Sequence, residues 1–219
     1  MITIEDLKKN EDVTTYIKKA DESLLALGFT EHSFAHVTKV ADTAKYILKS
    51  LNFSDNDIRL AEIAAYLHDI GNLVNREEHS QSGAVIAFRI LDKLGMSSSD
   101  ISTVVTAIGN HDEGNGVPVN PVAAALILAD KSDVRRSRVR NRDLKNFDIH
   151  DRVNYSVTDS KLEFNEAMDK IALNIHIDTS ICSIIEYFEI FMKRMLLCKN
   201  AANKLEVSFK LYINGQELL

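Results

Sequence analysis

Apolar residues recur at three- and four-residue intervals through the first two-thirds of the chain. Val13, Ile17, Ala20, Leu24 and Leu27 make one such face, and Phe34, Val37, Val40, Ala41, Ala44, Ile47, Leu48 and Leu51 make a second. That spacing predicts amphipathic helices. Ser54, before Asp55-Asn56-Asp57, is placed to cap a third helix carrying Ile58, Ala61, Ala65 and Leu67, and Gly71 is expected to turn the chain out of its end. A fourth helix is expected from His79 to Leu94, stopping at Gly95. Ser98 or Ser99 is expected to cap a fifth, with Ile101, Val104, Val105 and Ile108 on its face. Asn120-Pro121 is a cap followed by proline at the first helical position, opening an almost wholly apolar run from Val122 to Asp130.

The period changes after about residue 145. Val153 to Val157 alternates, Asp159-Ser160 has turn chemistry and Leu162-Glu163-Phe164 follows, which predicts a short hairpin. Leu173 to Ile177 alternates again, although Ala167 to Ala172 would also suit the start of a helix. Cys182 to Leu197 suits one more amphipathic helix, and Leu205 to Ile213 alternates cleanly into Asn214-Gly215. The fold expected is mainly α: a helical bundle over residues 1–145, then a small α+β appendage over 146–219 with a short antiparallel sheet.

Composition narrows the setting. Of 219 residues, 45% are hydrophobic and 26% charged, enough apolar material for a full core. The net charge of −6 argues against wrapping extended nucleic acid or docking on an anionic membrane. Cys182 and Cys198 form no C-x-x-C pair, and the polar Met1–Asn10 start has no signal-peptide character. A cytoplasmic protein that does not span a membrane is therefore expected.

The chemistry concentrates where helices should be apolar. His36 lies beside Val37 and Val40, His68-Asp69 ends the string Ala64-Ala65-Tyr66-Leu67, and Asp130 closes Ala123 to Ala129. A carboxylate buried unpaired at such a helix end costs several kcal/mol, on the order of 2–7 even for neutral polar groups. A bound cation removes that cost. Two imidazoles and two carboxylates form a mixed N/O set suited to Mn, Fe, Co, Ni or Zn, or to Mg if waters complete the shell.

This ordered set resembles the HD superfamily of metal-dependent phosphohydrolases. His36-Val37-Thr38-Lys39-Val40-Ala41-Asp42-Thr43-Ala44 looks like its first motif, and Ala65-Tyr66-Leu67-His68-Asp69-Ile70-Gly71 like its namesake motif. Asp130 follows in Leu-Ala-Asp, and the likeness covers roughly residues 30 to 135. The resemblance implies an HD-type bundle in which His36, His68, Asp69 and Asp130 hold one divalent ion. His79 and His111 stand where the two-metal branch carries further ligands, so it also implies a second ion with Asp69 bridging. One or two ions clamp a phosphate and activate water. The chain departs from many relatives at Asn72, where they carry a lysine.

Lost charge has a replacement nearby. Lys131, Arg135, Arg136, Arg138, Arg140 and Arg142 follow Asp130. Lys131 and Arg135 are the candidates for a phosphoester, with Arg138 to Arg142 read as structural or surface residues. His32, one turn before His36, is a candidate to face substrate, and Glu62, two turns before Asp69, a candidate acid-base group beside Asp69. His150-Asp151 repeats the motif letters in a polar setting and is discounted as a ligand pair, and His176 is read as an ordinary polar residue. The expected activity is hydrolysis of a phosphoester or phosphoanhydride, with a nucleotide preference implied by the resemblance alone. The alternatives are a metal and nucleotide sensor with little turnover, and di-iron oxygen chemistry. An edge strand at 205–213 would pair with the strands at 153–165 or with a second copy, and the apolar face around Ile184, Phe188 and Phe191 would pack on the helical body or form the seam of a homodimer.

Overall fold

The computed structural model describes residues 1–141 and 143–219, so Arg142 lies outside it. The chain runs α1 (Ile4–Lys9), α2 (Glu11–Ala26), α3 (Phe34–Ser50), α4 (Asp55–Leu67), α5 (His79–Lys93), α6 (Ser98–Gly109) and α7 (Pro121–Ser132). It continues through α8 (Ile149–Ser156), β1 (Val157–Phe164), β2 (Lys170–Ile177), α9 (Ile184–Lys204), β3 (Ser208–Ile213) and β4 (Gln216–Glu217). The mainly helical body with a small sheet near the C-terminus agrees with the hydrophobic pattern.

α7 is the axis of the body. Every residue from Val122 to Ser132 is buried, as expected for a helix apolar on all sides. α3, α4 and α6 pack around it, and α9 closes a further side. Asn120 caps it, its side chain accepting from the Ala123 N–H, with Pro121 in the first turn. Ser54 likewise caps α4. Asp130 is thus carried on the most enclosed helix of the molecule, which fixes its position from all sides. No helix of the described residues is long and apolar enough to cross a membrane.

Four local expectations need correction. α6 is capped by Ser97, whose side chain accepts from Asp100 N–H, and not by Ser98 or Ser99. Val153 to Ser156 belongs to α8, which Asp148 caps, so the alternation there reflects one buried stripe of a short helix. Asp159-Ser160 lies inside β1, with an irregularity between Val157 and Asp159, and the chain turns instead at residues 165–169. Leu205 to Val207 ends and follows α9, leaving the last long strand to begin at Ser208.

The sheet has the order β1-β2-β3-β4 and is mixed. β1 and β2 pair antiparallel, but β2 and β3 pair parallel, because the 21-residue α9 crosses between them. Ile171, Leu173, Ile175 and Ile177 of β2 and Phe209, Leu211 and Ile213 of β3 are buried. They form one continuous core with Tyr187, Phe191, Met195 and Cys198 of α9 and the residues of α7. The sheet therefore braces α9, and α9 presses on the helix that carries Asp130.

Candidate metal centre and its cleft

Helix ends from α3, α4, α5, α6 and α7 bring His36, His68, Asp69, His79, His111 and Asp130 together, all buried. Their separations are informative. His36 Nε2 lies 3.5 Å from Asp69 Oδ2 and 3.3 Å from Asp130 Oδ1. His68 Nε2 lies 3.2 Å and 3.6 Å from the same two oxygens. Most of these exceed a good hydrogen bond, and both Nε2 atoms are buried without a hydrogen-bond partner among the described residues. Ligand atoms sharing an ion at about 2.1 Å stand roughly 3.0–3.4 Å apart, so the four atoms have the spacing of co-ligands.

Each ring is held from behind. Nδ1 of His36 meets Asp133 Oδ2 at 2.8 Å. Nδ1 of His68, His79 and His111 meet the carbonyls of Ala65, Arg76 and Ile108 at 2.7, 3.0 and 2.6 Å. A carbonyl only accepts, so each of these three rings has a proton on Nδ1 and turns Nε2 inward. His79 Nε2 and His111 Nε2 then face each other at 3.2 Å. Two lone pairs at that distance repel unless a proton or cation lies between them. His79 Nε2 is also 3.5 Å from Asp69 Oδ1. The two oxygens of Asp69 thus face different imidazoles, Oδ2 those of His36 and His68 and Oδ1 that of His79. The donor set fits divalent ions.

Charges in the cluster follow the same arrangement. Burial alone would depress His68, but the Asp69 and Asp130 carboxylates outweigh it and raise the imidazole to about 10. Burial would raise Asp69 and Asp130, yet the imidazoles, and Lys131 beside Asp130, hold both well below the usual carboxylate range. Burial, with the positive charge of His68 and Lys131 nearby, keeps His111 neutral. His79 is lowered chiefly by burial. A cation would occupy the same electrostatic role that protons on His68 and His36 otherwise fill.

Gly71 contributes by close approach. Its φ is not in the left-handed region, but a Cβ there would collide with the backbone of His79 and of Gly83. The absence of a side chain lets the Ile70–Leu73 turn lie against α5 and sets the depth of His79. Asn72 donates Nδ2 to the Asp69 carbonyl and to its Oδ1, at 2.9 and 3.0 Å. It orients the Asp69 carboxylate, while Arg76, one turn further on, supplies positive charge near His79.

A cleft of about 350 Å³ opens over the cluster, lined in part by His32, Asp69, His79, Asp130, Lys131 and Arg138. His32 Nδ1 meets Asp69 Oδ2 at 2.6 Å, and burial lowers His32 to about 3, so a neutral ring donates to the carboxylate. Arg135 points elsewhere, bonded to Asp133 Oδ1 and Glu31. Arg138 takes the inward place instead: its Nε donates to the Glu31 carbonyl, Nη1 to the Asp133 carbonyl, and Nη2 lies 3.3 Å from His32. Glu62 is paired with Lys45 at 3.0 Å, away from the cluster. His150 and Asp151 line the cleft rim without joining the ligand cluster. Phe29, Phe191, Arg76, Arg194 and Glu113 also line it. Phe29, Arg76, Arg194 and Glu113 carry no signal in the sequence for such a site, and Phe191 reads there only as part of the apolar face of the last helix.

Comparison with known proteins agrees with this geometry. The family model described as HD domain matches residues 33–153, more than half of the chain. The chain belongs to the HD-domain superfamily of metal-dependent phosphohydrolases. It is also 29% identical over 171 residues to an uncharacterized protein of Methanocaldococcus jannaschii. That match takes in 67% of this chain, and the chain spans 65% of the relative's length.

Proposed function

We propose that the protein hydrolyses a phosphoester or phosphoanhydride bond of a small nucleotide, using two divalent ions. His36, His68, Asp69 and Asp130 would hold one ion, and His79, His111 and Asp69 the other. The observation that carries this is Asp69, whose Oδ2 faces His36 and His68 while Oδ1 faces His79. Two ions bound there would supply Lewis-acid charge and a water of lowered pKa.

The chain's own residues supply the rest. Arg76, Lys131 and Arg138 place positive charge around the mouth of the cluster, where phosphate oxygens would lie. His32, neutral and bonded to Asp69, stands between the bridging carboxylate and the cleft. It fixes the carboxylate's direction, while its Nε2 accepts from Arg138 Nη2 at 3.4 Å and so ties that guanidinium to the cluster. Phe29, partly exposed at the cleft, gives it an aromatic surface against which a base would rest, whereas Phe191 is buried beneath Arg194. The volume lies at the lower end of the ~300–1,000 Å³ of small-molecule sites, which suits a mononucleotide better than a polymer. No proton transfer is assigned to Glu62, because Lys45 holds it away from the cluster.

The test is phosphate release from nucleoside mono-, di- and triphosphates and simple phosphomonoesters, with Mn, Co, Fe, Ni, Zn or Mg supplied after chelator treatment. Metal-dependent release, lost in Asp69→Ala, supports the proposal. Metal-dependent nucleotide binding with no product from any substrate would overturn it and leave a sensor.

A further inference from the structure

Helix α9 belongs to the segment after the HD-domain match, yet it reaches the cleft. Arg194 projects from it with its guanidinium stacked over the Phe191 ring at 4.1 Å. Its Nη2 donates to Glu113 Oε1 at 3.1 Å, and its Nε is buried without a hydrogen-bond partner among the described residues. Lys131, next in sequence to Asp130, is buried and holds Glu113 Oε2 at 2.6 Å and Asp130 Oδ2 at 2.7 Å. Glu113 therefore spans the two cations, with one oxygen on each.

We propose that Lys131 and Arg194 are the seat for the substrate's phosphate, and that Glu113 fills this seat until substrate displaces it. The proposal rests on the phosphohydrolase reading. A carboxylate bridging an ammonium and a guanidinium presents negative oxygens as two non-bridging phosphate oxygens do, and guanidinium forks match both groups. Both cations also keep spare donors. An ammonium has three N–H bonds and a guanidinium five, more than Glu113 and Asp130 take up.

Position separates this from a simple clamp between α9 and the body. Lys131, Arg194 and Glu113 all line the cleft. Lys131 touches a residue of the candidate metal cluster, so a phosphate seated there would lie next to it. Glu113 stands on the segment between α6 and α7, beside Gly114 and close to Gly116, and its side chain is 26% exposed. It can leave without moving a helix. A phosphate brings more negative charge than the carboxylate it replaces, so the exchange favours substrate. The C-terminal segment would thereby select for substrates whose phosphate reaches α9.

The experiment is calorimetric titration of the full, metal-loaded chain with inorganic phosphate, for wild type, Glu113→Gln, Arg194→Met and Arg194→Lys. Circular dichroism identifies any variant that fails to fold; should Arg194→Met fail, the other two decide. Glu113→Gln is expected to bind phosphate about tenfold more tightly, and Arg194→Met about tenfold more weakly, with Arg194→Lys between wild type and Arg194→Met. Folded variants all within twofold of wild type, or a weakening in Glu113→Gln, overturn the proposal, as does a wild type that binds no phosphate. If wild type releases phosphate from a nucleotide while Kd is unmoved in the variants, this seat falls and the hydrolase reading stands. If the variants shift as expected but no phosphoester is cleaved, the seat stands and the hydrolase reading falls.

Discussion

Asp133→Asn would remove one charge from behind His36 without changing the volume of the side chain. Asp133 Oδ2 takes the Nδ1 side of His36 at 2.8 Å, while Oδ1 accepts from Lys39 Nζ at 2.8 Å and from Arg135 Nε at 2.9 Å. Asparagine has one oxygen for these three donors. Whichever way the amide turns, its NH2 group meets either the His36 Nδ1–H or the two cations. Lys39 is 44% exposed and Arg135 25%, so water compensates them in part. His36 is fully buried and cannot be compensated so. The amide should therefore keep its oxygen on His36 and turn its NH2 group to the water-assisted cations, so His36 loses the carboxylate's charge behind it and the loss falls on metal affinity. Removing such a partner costs about 10–100-fold in affinity, or roughly 1.4–2.7 kcal/mol. Competition against a chromophoric chelator reads this directly, for Mn or Co. One of two binding steps should weaken by that factor while the other, assigned to His79 and His111, stays within about threefold of wild type. Unchanged affinity in both steps would show that His36 is not a ligand, or that Asp133 does not orient it.

Other perturbations probe different links. Gly71→Ala should destabilise the fold by about 3 kcal/mol, because the new methyl meets backbone rather than a flexible side chain. Calorimetry should show Tm lower by roughly 6–12 °C, and a change under 2 °C would remove the close-approach argument. His68, held at about 10 when metal-free, must lose its proton to ligate. Its raised value also stabilises the metal-free fold below the unfolded value of about 6.5, a contribution lost as pH rises through about 10. Metal binding at pH 8 should therefore release close to one proton from this ring, measurable by calorimetry in buffers of different ionisation enthalpy. His32 runs the other way, since its value of about 3 stabilises the fold above about 6.5 and that contribution is lost as pH falls towards 3. Glu62→Gln should leave kcat within about twofold and stability within about 1 kcal/mol, as expected for a surface pair; a loss of kcat of a hundredfold or more would restore its acid-base role.

The His/Asp cluster was legible in the sequence because imidazoles and carboxylates at the ends of apolar helices are anomalous wherever they occur. His36, His68, Asp69 and Asp130 stand out against Val37, Leu67 and Ala129, and no tertiary information is needed to notice them. The same local rule misled at 153–157. Asp148 caps a short helix there, and the burial of Val153 gives it an alternating look over a few residues. The parallel pairing of β2 with β3 was hidden for a different reason: it depends on α9 crossing the sheet, and the strand pattern alone carries no direction. Arg138 and Arg135 exchanged their expected places because Glu31 and Asp133, far apart in sequence, decide which guanidinium turns inward. Glu113 and Arg194 are 81 residues apart and have no local signal at all.

Metal content by mass spectrometry bears most directly on the proposed binuclear centre, measured on protein purified without chelator for wild type, Asp69→Ala and the His79→Ala/His111→Ala double variant. About two ions per wild-type chain, about one in the double variant and none in Asp69→Ala are expected if Asp69 bridges two sites. Undiminished metal in Asp69→Ala, or a folded wild type that takes up no divalent ion, would contradict it.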